Sequence, residues 1–513
     1  MPSFFQNEEF TYIKNKYVEE NSYIGKDAKI SDLPKYKDIK NKLPVPVWEG
    51  HESVVDCYYK AWEIAFSNIS NPHKGSGFVS PFIDAAFNKC IFMWDSCFML
   101  MFGKYAHNIF CFQETLDNFY SHQHKDGFIS REIDEKDGSE KFTRFDPAST
   151  GPNVLPWCEY EYFLLTGDKD RLEKVFPVLL SYHQWLRQYR TWRDGSYWSS
   201  GFGCGMDNSP RLRDSSTNEK RYYSTGHMVW VDTCMQQALS CNILIKMAEL
   251  CKRRDDVADI AEERDMLMKL INNKLWDETT EFYYDLWDDD NLNMVKTIGS
   301  YWGLLAGVVS ERNLDGFVQH LQNENEFNRP NRIPTLSADN EFYSEKGNYW
   351  CGSVWAPTNY MVLRGLSEYG YHKLAYEIAE ASVKNVVTTF EETGTIWENY
   401  SPELIGKGSI AKPDFVGWSG LFPISILFEY VFGINVDVGK REIRWNIFLT
   451  DEFGINQLPF GNYGMVDLMC KKRGSVEERP DVVIKSDVDF TLKFFWNNNE
   501  ETIEVEASNF RRN

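Results

Sequence analysis

The sequence predicts a mainly α fold, an (α/α)6 barrel of six helical hairpins, followed by a small C-terminal antiparallel β domain. Three observations predict it. Apolar residues recur with a period of about 3.6 through most of the chain, the connections alternate between very short and long, and the texture changes after Gly433. In a ring of antiparallel hairpins the short links gather on one face and the long ones on the other. The long loops then crowd around one mouth, which is where chemistry is expected.

Taken in order, the polar residues 1–45 read as an arm packing on the barrel, 46–433 as the barrel, and 434–513 as the β domain, of β-sandwich-like character. The spacing places helices near 52–69, 94–106, 109–122, 153–165, 169–190, 228–252, 254–276, 297–308, 311–322, 353–369, 371–390 and 415–432. The face Leu172, Val175, Phe176, Leu179, His183 and Leu186 illustrates the pattern. Gly167 ends one helix and Asp168 caps the next. Short links fall, for example, at 107–108, 166–168 and 369–371, and four of the long ones at 124–151, 191–227, 323–352 and 391–414. Beyond Gly433, the runs Glu442–Leu449, Tyr463–Cys470, Val482–Ile484, Phe490–Trp496 and Thr502–Ala507 are rich in β-branched and aromatic residues and read as strands.

Composition narrows the function. A chain of 513 residues can bury one large core, and its 17 Trp, 27 Tyr and 35 Phe exceed what a core alone requires. Aromatic faces stack on the C–H faces of sugar rings, so the surplus suits a carbohydrate cleft as well as a large core. The formal charge of −21, without a basic stripe, argues against nucleic acid and acidic membrane surfaces and for a small carbohydrate partner. No apolar run approaches the roughly 20 residues that span a bilayer, and Met1–Phe10 lacks signal-peptide character. The 11 cysteines, Cys97, Cys234 and Cys241 among them, form no CxxC pair and read as free thiols of a cytoplasmic protein. Nine histidines show no HExxH, and the His122/His124 pair reads as a polar helix end, so neither a metal nor another cofactor is expected.

Two loop segments place a carboxylate among glycines and aromatics. In GFGCGMDNSPR at 201–211, three glycines let the backbone approach a ligand at Asp207, although an Asx turn before Pro210 accounts for the same string. In GTIWENYSPE at 394–403, Glu398 lies between Trp397 and Tyr400, which are expected to touch substrate, although an ordinary loop glutamate beside two packed rings gives the same string. Their placement tips the balance, because Asp207 falls in the third of six long loops and Glu398 in the sixth, on opposite sides of the mouth. An inverting glycosidase needs two carboxyl groups so opposed, roughly 6.5–9.5 Å apart. Burial beside Trp and Tyr raises one carboxyl pKa enough to keep it protonated near neutrality. FMWDS at 92–96 offers Trp94 as a stacking platform and Asp95 as a hydroxyl acceptor, or simply a helix cap. Arg131, Arg211, Tyr349, Trp350, Trp355 and Trp418 populate the remaining loops, and each fits packing as well as substrate binding.

The strings GMDNSPR at 205–211, WENYSPE at 397–403, YWCGSVWAPTNY at 349–360 and KPDFVGWSGLFPI at 412–424 together resemble glycoside hydrolase family 63. The trehalase-like and mannosylglycerate hydrolase-like clan is similar. The likeness continues through WDS at 94–96, GFISREI at 127–133 and YFLLTGD at 162–168, covering most of 48–432 in order. It implies an (α/α)6 barrel cleaving α-linked glucosides or mannosides with inversion, with Asp207 as general acid and Glu398 as general base, while the size of the 191–227 and 323–352 loops favours small substrates and exo action. It also implies Trp94 and Asp95 in the subsite for the cleaved sugar, with Trp350 and Trp418 as cleft walls. Cys351 departs from the pattern, standing where related sequences often have Arg. Two rivals remain: a phosphorylase on the same barrel, using Arg131 and Arg211 for phosphate, and a non-catalytic sugar-binding protein.

Overall fold

The computed structural model describes residues 13–212 and 222–508. Outside it lie 1–12 of the expected arm, 213–221 of the long third loop and 509–513 of the β domain. The chain is mainly helical with a C-terminal strand region.

The helices are α1 (Glu52–Ser67), α2 (Met93–Gly103), α3 (Thr115–Ser121), α4 (Leu155–Thr166), α5 (Lys169–Tyr189) and α6 (Val231–Leu250). They continue with α7 (Ala258–Lys274), α8 (Trp302–Leu305), α9 (Glu311–Gln319), α10 (Ala356–Glu368) and α11 (His372–Thr393), and end with Phe422–Val431, wound in π geometry. Their bounds follow local chemistry. Gly167 closes α4 at φ +68, where a Cβ would strike Val438, and the Asp168 carboxylate accepts the Arg171 N–H at 3.0 Å to start α5.

Every residue of α2 and of the π helix is buried, because neither has a polar face to give to water. These two belong to an inner set packed in succession: α2 on α4, α4 on α6, α6 on α8, α8 on α10, and α10 on the π helix, which returns to α2. The amphipathic helices pack outside, α5 and α7 against α6, α1 and α11 against the π helix. The arm crosses the outer layer, with Asn15 bonded to Gln184 at 2.8 Å and Tyr17 to Asp256 at 2.9 Å.

Two four-stranded sheets form the C-terminal region. One has the order β1 (Val45–Trp48), β4 (Phe453–Phe460), β5 (Gly464–Cys470), β6 (Val482–Ser486), and the other β2 (Ile434–Asp437), β3 (Glu442–Asn446), β7 (Phe490–Trp496), β8 (Asn499–Val505). One expectation needs correction: the region is not wholly antiparallel, since β3 and β7 pair in parallel with Ile443 beside Leu492 and Trp445 beside Phe494, all buried. β1, where the arm meets the barrel, joins the first sheet as an edge strand. β4 escapes the alternation pattern because a bulge shifts its register between Ile455 and Leu458, with Gln457 at φ +60. All 11 cysteines are free thiols, and among the described residues no helix is long and apolar enough to cross a membrane.

At the C-terminal ends of the inner helices, buried Lys104 lies 3.2 Å from Glu161 and 3.1 Å from Glu429, and Arg364 lies 2.6 Å from Glu161. Burial by itself raises the Glu161 pKa, but Arg364 and Lys104 outweigh it and hold the carboxyl below its ordinary value of 4.5. A depressed carboxyl contributes stability that is present above its unfolded pKa and lost as pH falls through the folded one. Glu161→Gln should therefore lower unfolding free energy at neutral pH by about 3–5 kcal/mol, as Arg364 loses its anion and Lys104 one of its two. Denaturation at pH 7 and at pH 3 checks this: the loss should shrink at the lower pH.

Candidate active site

The N-terminal ends of the inner helices meet the long loops at a pocket of about 260 Å³, lined among others by Trp94, Asp95, Arg131, Asp207, Tyr349, Trp350, Glu398 and Trp418. A two-stranded ribbon builds one side. Cys90–Phe92 pairs with Glu132–Asp134, and the Met93 N–H reaches the Arg131 carbonyl at 2.8 Å, which sets the start of α2 beside Arg131. Asp95 makes no cap, for α2 has no side-chain cap bond. It is buried instead at the pocket, where desolvation drives its carboxyl well above the usual range against the pull of Arg131.

Asp207 lies within a turn closed by the main chain, Ser209 N–H to Met206 carbonyl at 3.0 Å, and its side chain lines the pocket. Gly205, at φ +77, lets this turn lie against the Trp94 indole, where a Cβ would come within 2.8 Å. Asn208 pins the turn to the fifth long loop by donating to the Asn348 carbonyl at 2.9 Å and accepting the Trp350 N–H at 2.7 Å. Cys351 joins the same seam, its thiol 3.0 Å from the Asn208 carbonyl. Burial pushes the Asp207 carboxyl up to about 7, with Arg131 pulling it down and Glu398 raising it further.

Glu398 is 4% exposed. Its carboxylate accepts the Tyr349 hydroxyl at 3.2 Å and the Lys412 N–H at 3.1 Å, while its carbonyl receives the Trp418 indole N–H at 3.2 Å and the Ser419 hydroxyl at 3.1 Å. Burial raises its pKa, and the Lys412 and Tyr349 bonds oppose the rise. Two carboxyl groups therefore share a pocket in different surroundings, Asp207 with an elevated proton affinity and Glu398 with donors aimed at its charged form. Arg131 is held by its bond to the Phe202 carbonyl at 3.1 Å and lies against the Phe142 and Phe202 rings.

Four residues expected to touch substrate sit elsewhere. Arg211 is buried between Asp232, at the start of α6, and Asp285, at 2.6 Å from each. Trp355 stacks behind Trp350 at 4.1 Å between ring centroids and donates to the Tyr349 carbonyl. Trp397 points away from its neighbour Glu398, its indole bonded to Thr393 and its ring under Lys407. Tyr400 is buried against Phe422, its hydroxyl accepting the Trp397 N–H. Conversely, Glu132, Phe202 and Phe415 line the pocket from within strings that the sequence itself singles out, whereas Phe87, Asn88 and Phe142 belong to no motif. Of the paired histidines, His122 caps main-chain carbonyls and His124 pairs with Glu140 at 2.7 Å. His183, Cys241 and Glu263 cluster in the core under α5–α7, where Glu263 is already engaged by His183, Arg187 and Tyr197.

The mannosylglycerate hydrolase MGH1-like glycoside hydrolase domain matches residues 90–412. The chain belongs to this family. It is a glycoside hydrolase of the family 63 type, in agreement with the ordered loop strings. Mannosylglycerate hydrolase of one Thermus thermophilus strain is 25% identical over 62% of this chain and 89% of its own length. A probable mannosyl-oligosaccharide glucosidase of Schizosaccharomyces pombe is 26% identical over 50% of this chain, but the match spans 34% of that protein. In fold, the family 63 mannosylglycerate hydrolase of another Thermus thermophilus strain, solved with glucose, superposes with a TM-score of 0.59 at 20% identity, covering 72% of this chain and 99% of its own. The match at 90–412 contains all the pocket residues named above except Phe87, Asn88, Phe415 and Trp418.

The buried pairing of Arg211 yields a test. Arg211→Met should destabilise the protein by about 3–5 kcal/mol by stranding Asp232 and Asp285. Urea titration reads this directly, whereas a substrate contact predicts a raised KM at unchanged stability.

Proposed function

We propose that the chain is an inverting, exo-acting α-glycosidase on an (α/α)6 barrel, hydrolysing a small α-glucoside or α-mannoside. The closed succession of inner helices supports the barrel, which we bound at 46–433, with the arm 1–45 outside it and 434–513 as the appended β region. The observation that carries the mechanism is the pair of carboxyl groups, Asp207 and Glu398, sharing one pocket, both raised by burial but only Glu398 bonded by the Lys412 N–H and the Tyr349 hydroxyl. In this reading the cleaved sugar rests on Trp94 with Asp95 receiving its hydroxyls, and Trp350 and Trp418 wall the subsite. Glu398 takes a proton from water as its oxygen attacks the anomeric carbon. The glycosidic C–O bond breaks on the opposite face, and Asp207 gives its proton to the departing oxygen. The pocket volume of about 260 Å³ lies below the roughly 300–1,000 Å³ typical of drug-sized sites, which favours a small substrate held at its end. The engagement of Arg211 by Asp232 and Asp285 removes one of the two cations on which a phosphorylase would draw.

Proton NMR of the first product formed from α-glucosides and α-mannosides tests the stereochemistry. An initial β-anomer is expected, and an initial α-anomer would replace this mechanism with a retaining one. Asp207→Asn and Glu398→Gln should each lower kcat by about 10²–10⁴-fold with the fold intact. The pH profile of kcat/KM should be bell-shaped. Its alkaline limb lies near 7, where Asp207 loses the proton it must donate, and its acid limb, where Glu398 gains one, lies above the ordinary carboxylate range.

A further inference from the structure

The pocket's inner rings, Trp94, Trp350, Trp418 and Phe415, are buried, but Phe87 at its rim is 51% exposed. An apolar ring left half in water is an unspent surface, and here its position is enforced. Ala86 at φ +57 and Lys89 at φ +64 bracket the Phe87–Asn88 tip in left-handed conformations, which turn the chain tightly around it. The Lys412 ammonium hooks the Ala86 carbonyl and lies 5.3 Å from the Phe87 ring centroid. The main-chain N–H of the same Lys412 donates to the Glu398 carboxylate at 3.1 Å, and its carbonyl accepts the Glu398 N–H at 2.9 Å. One residue thus anchors both the carboxylate of the sixth loop and the rim of the first. Phe92 supports the ring edge-on at 6.1 Å, and the Asn88 amide reaches Glu132 across the pocket wall at 3.2 Å.

We propose that Phe87 is the platform for the leaving group, and that this leaving group is a sugar ring rather than a small acyclic acid. The inference rests on the glycosidase reading above. With the cleaved sugar on Trp94 at the depth of the pocket, the bond to be broken lies between Asp207 and Glu398, and the aglycone beyond that bond emerges at the rim. A pyranose presents a flat C–H face to an aromatic ring there and covers it from water. A short acid has no such face, and Glu398, ionised to act as the base beside the bond to be broken, repels its charge. Phe87 is accordingly a specificity residue that acts on the aglycone and leaves proton transfer to the two carboxyl groups.

The test compares three substrates of the same sugar: an α-glycosyl fluoride, which has no aglycone ring, an α-linked disaccharide and the α-glycosyl glycerate. In the parent chain, kcat/KM for the disaccharide should exceed that for the glycerate conjugate. In Phe87→Ala, the ratio of kcat/KM for disaccharide to fluoride should fall roughly 10–100-fold, mostly through KM, and Phe87→Tyr should restore it. An unchanged ratio in Phe87→Ala, or a parent preference for the glycerate conjugate, overturns the platform while sparing the glycosidase. A parent chain inert toward all three, glucosides and mannosides alike, overturns both.

Discussion

The structure depends on a buried ionic lock at the end of the helical ring remote from the pocket. Lys104, Glu161, Arg364 and Glu429 come from α4, α10, the π helix and the residue just after α2, and each cation there is shared by or faces a buried carboxylate. Charges removed from water tolerate little displacement, since a lost partner leaves an uncompensated ion. The lock therefore fixes the spacing of the inner helices, whose opposite ends carry the loops of the pocket. Tyr105 and Tyr360 add their hydroxyls to Glu429 at 2.9 and 2.7 Å, which extends the constraint with neutral donors.

At the pocket end the logic reverses. There Asp95 and Glu398 are buried and Asp207 is half-buried, without enough positive charge to neutralise them, and all three hold protons more tightly than free carboxyl groups. That arrangement costs stability, and a rigid frame is what lets the chain carry it. The same excess of carboxylates is what a glycosidase uses, because one group must arrive protonated at a pH where the other is ionised.

Long loops are poor platforms unless they are cross-braced, and here the braces are specific. Asn208 ties the third loop to the fifth, Tyr349 carries the fifth to Glu398, and Lys412 ties the sixth to the first. Arg211 anchors the third loop from beneath, to Asp232 at the start of α6 and to Asp285. Arg211, which reads as a ligand-binding group in the sequence, thus serves as a fastener, whereas Tyr349 and Lys412 bond the Glu398 carboxylate directly.

The sequence by itself determined the helices, their alternating loop lengths and the family, because apolar periodicity and ordered loop strings are local properties of the chain. It also marked Asp207, Glu398, Trp94, Asp95, Arg131, Tyr349, Trp350 and Trp418, which the fold brings to one pocket. Only the tertiary structure decided which marked residues face that pocket. Arg211 and Trp355 resemble binding residues in composition, yet one finds two buried aspartates and the other stacks behind a tryptophan. Phe87 sits in no motif and gains its place through Lys412, 325 residues away. The recruitment of Val45–Trp48 into a sheet built from the other end of the chain was equally hidden. The physical reason is common to all of these: a side chain's partner across hundreds of residues is set by packing, and no local pattern encodes it.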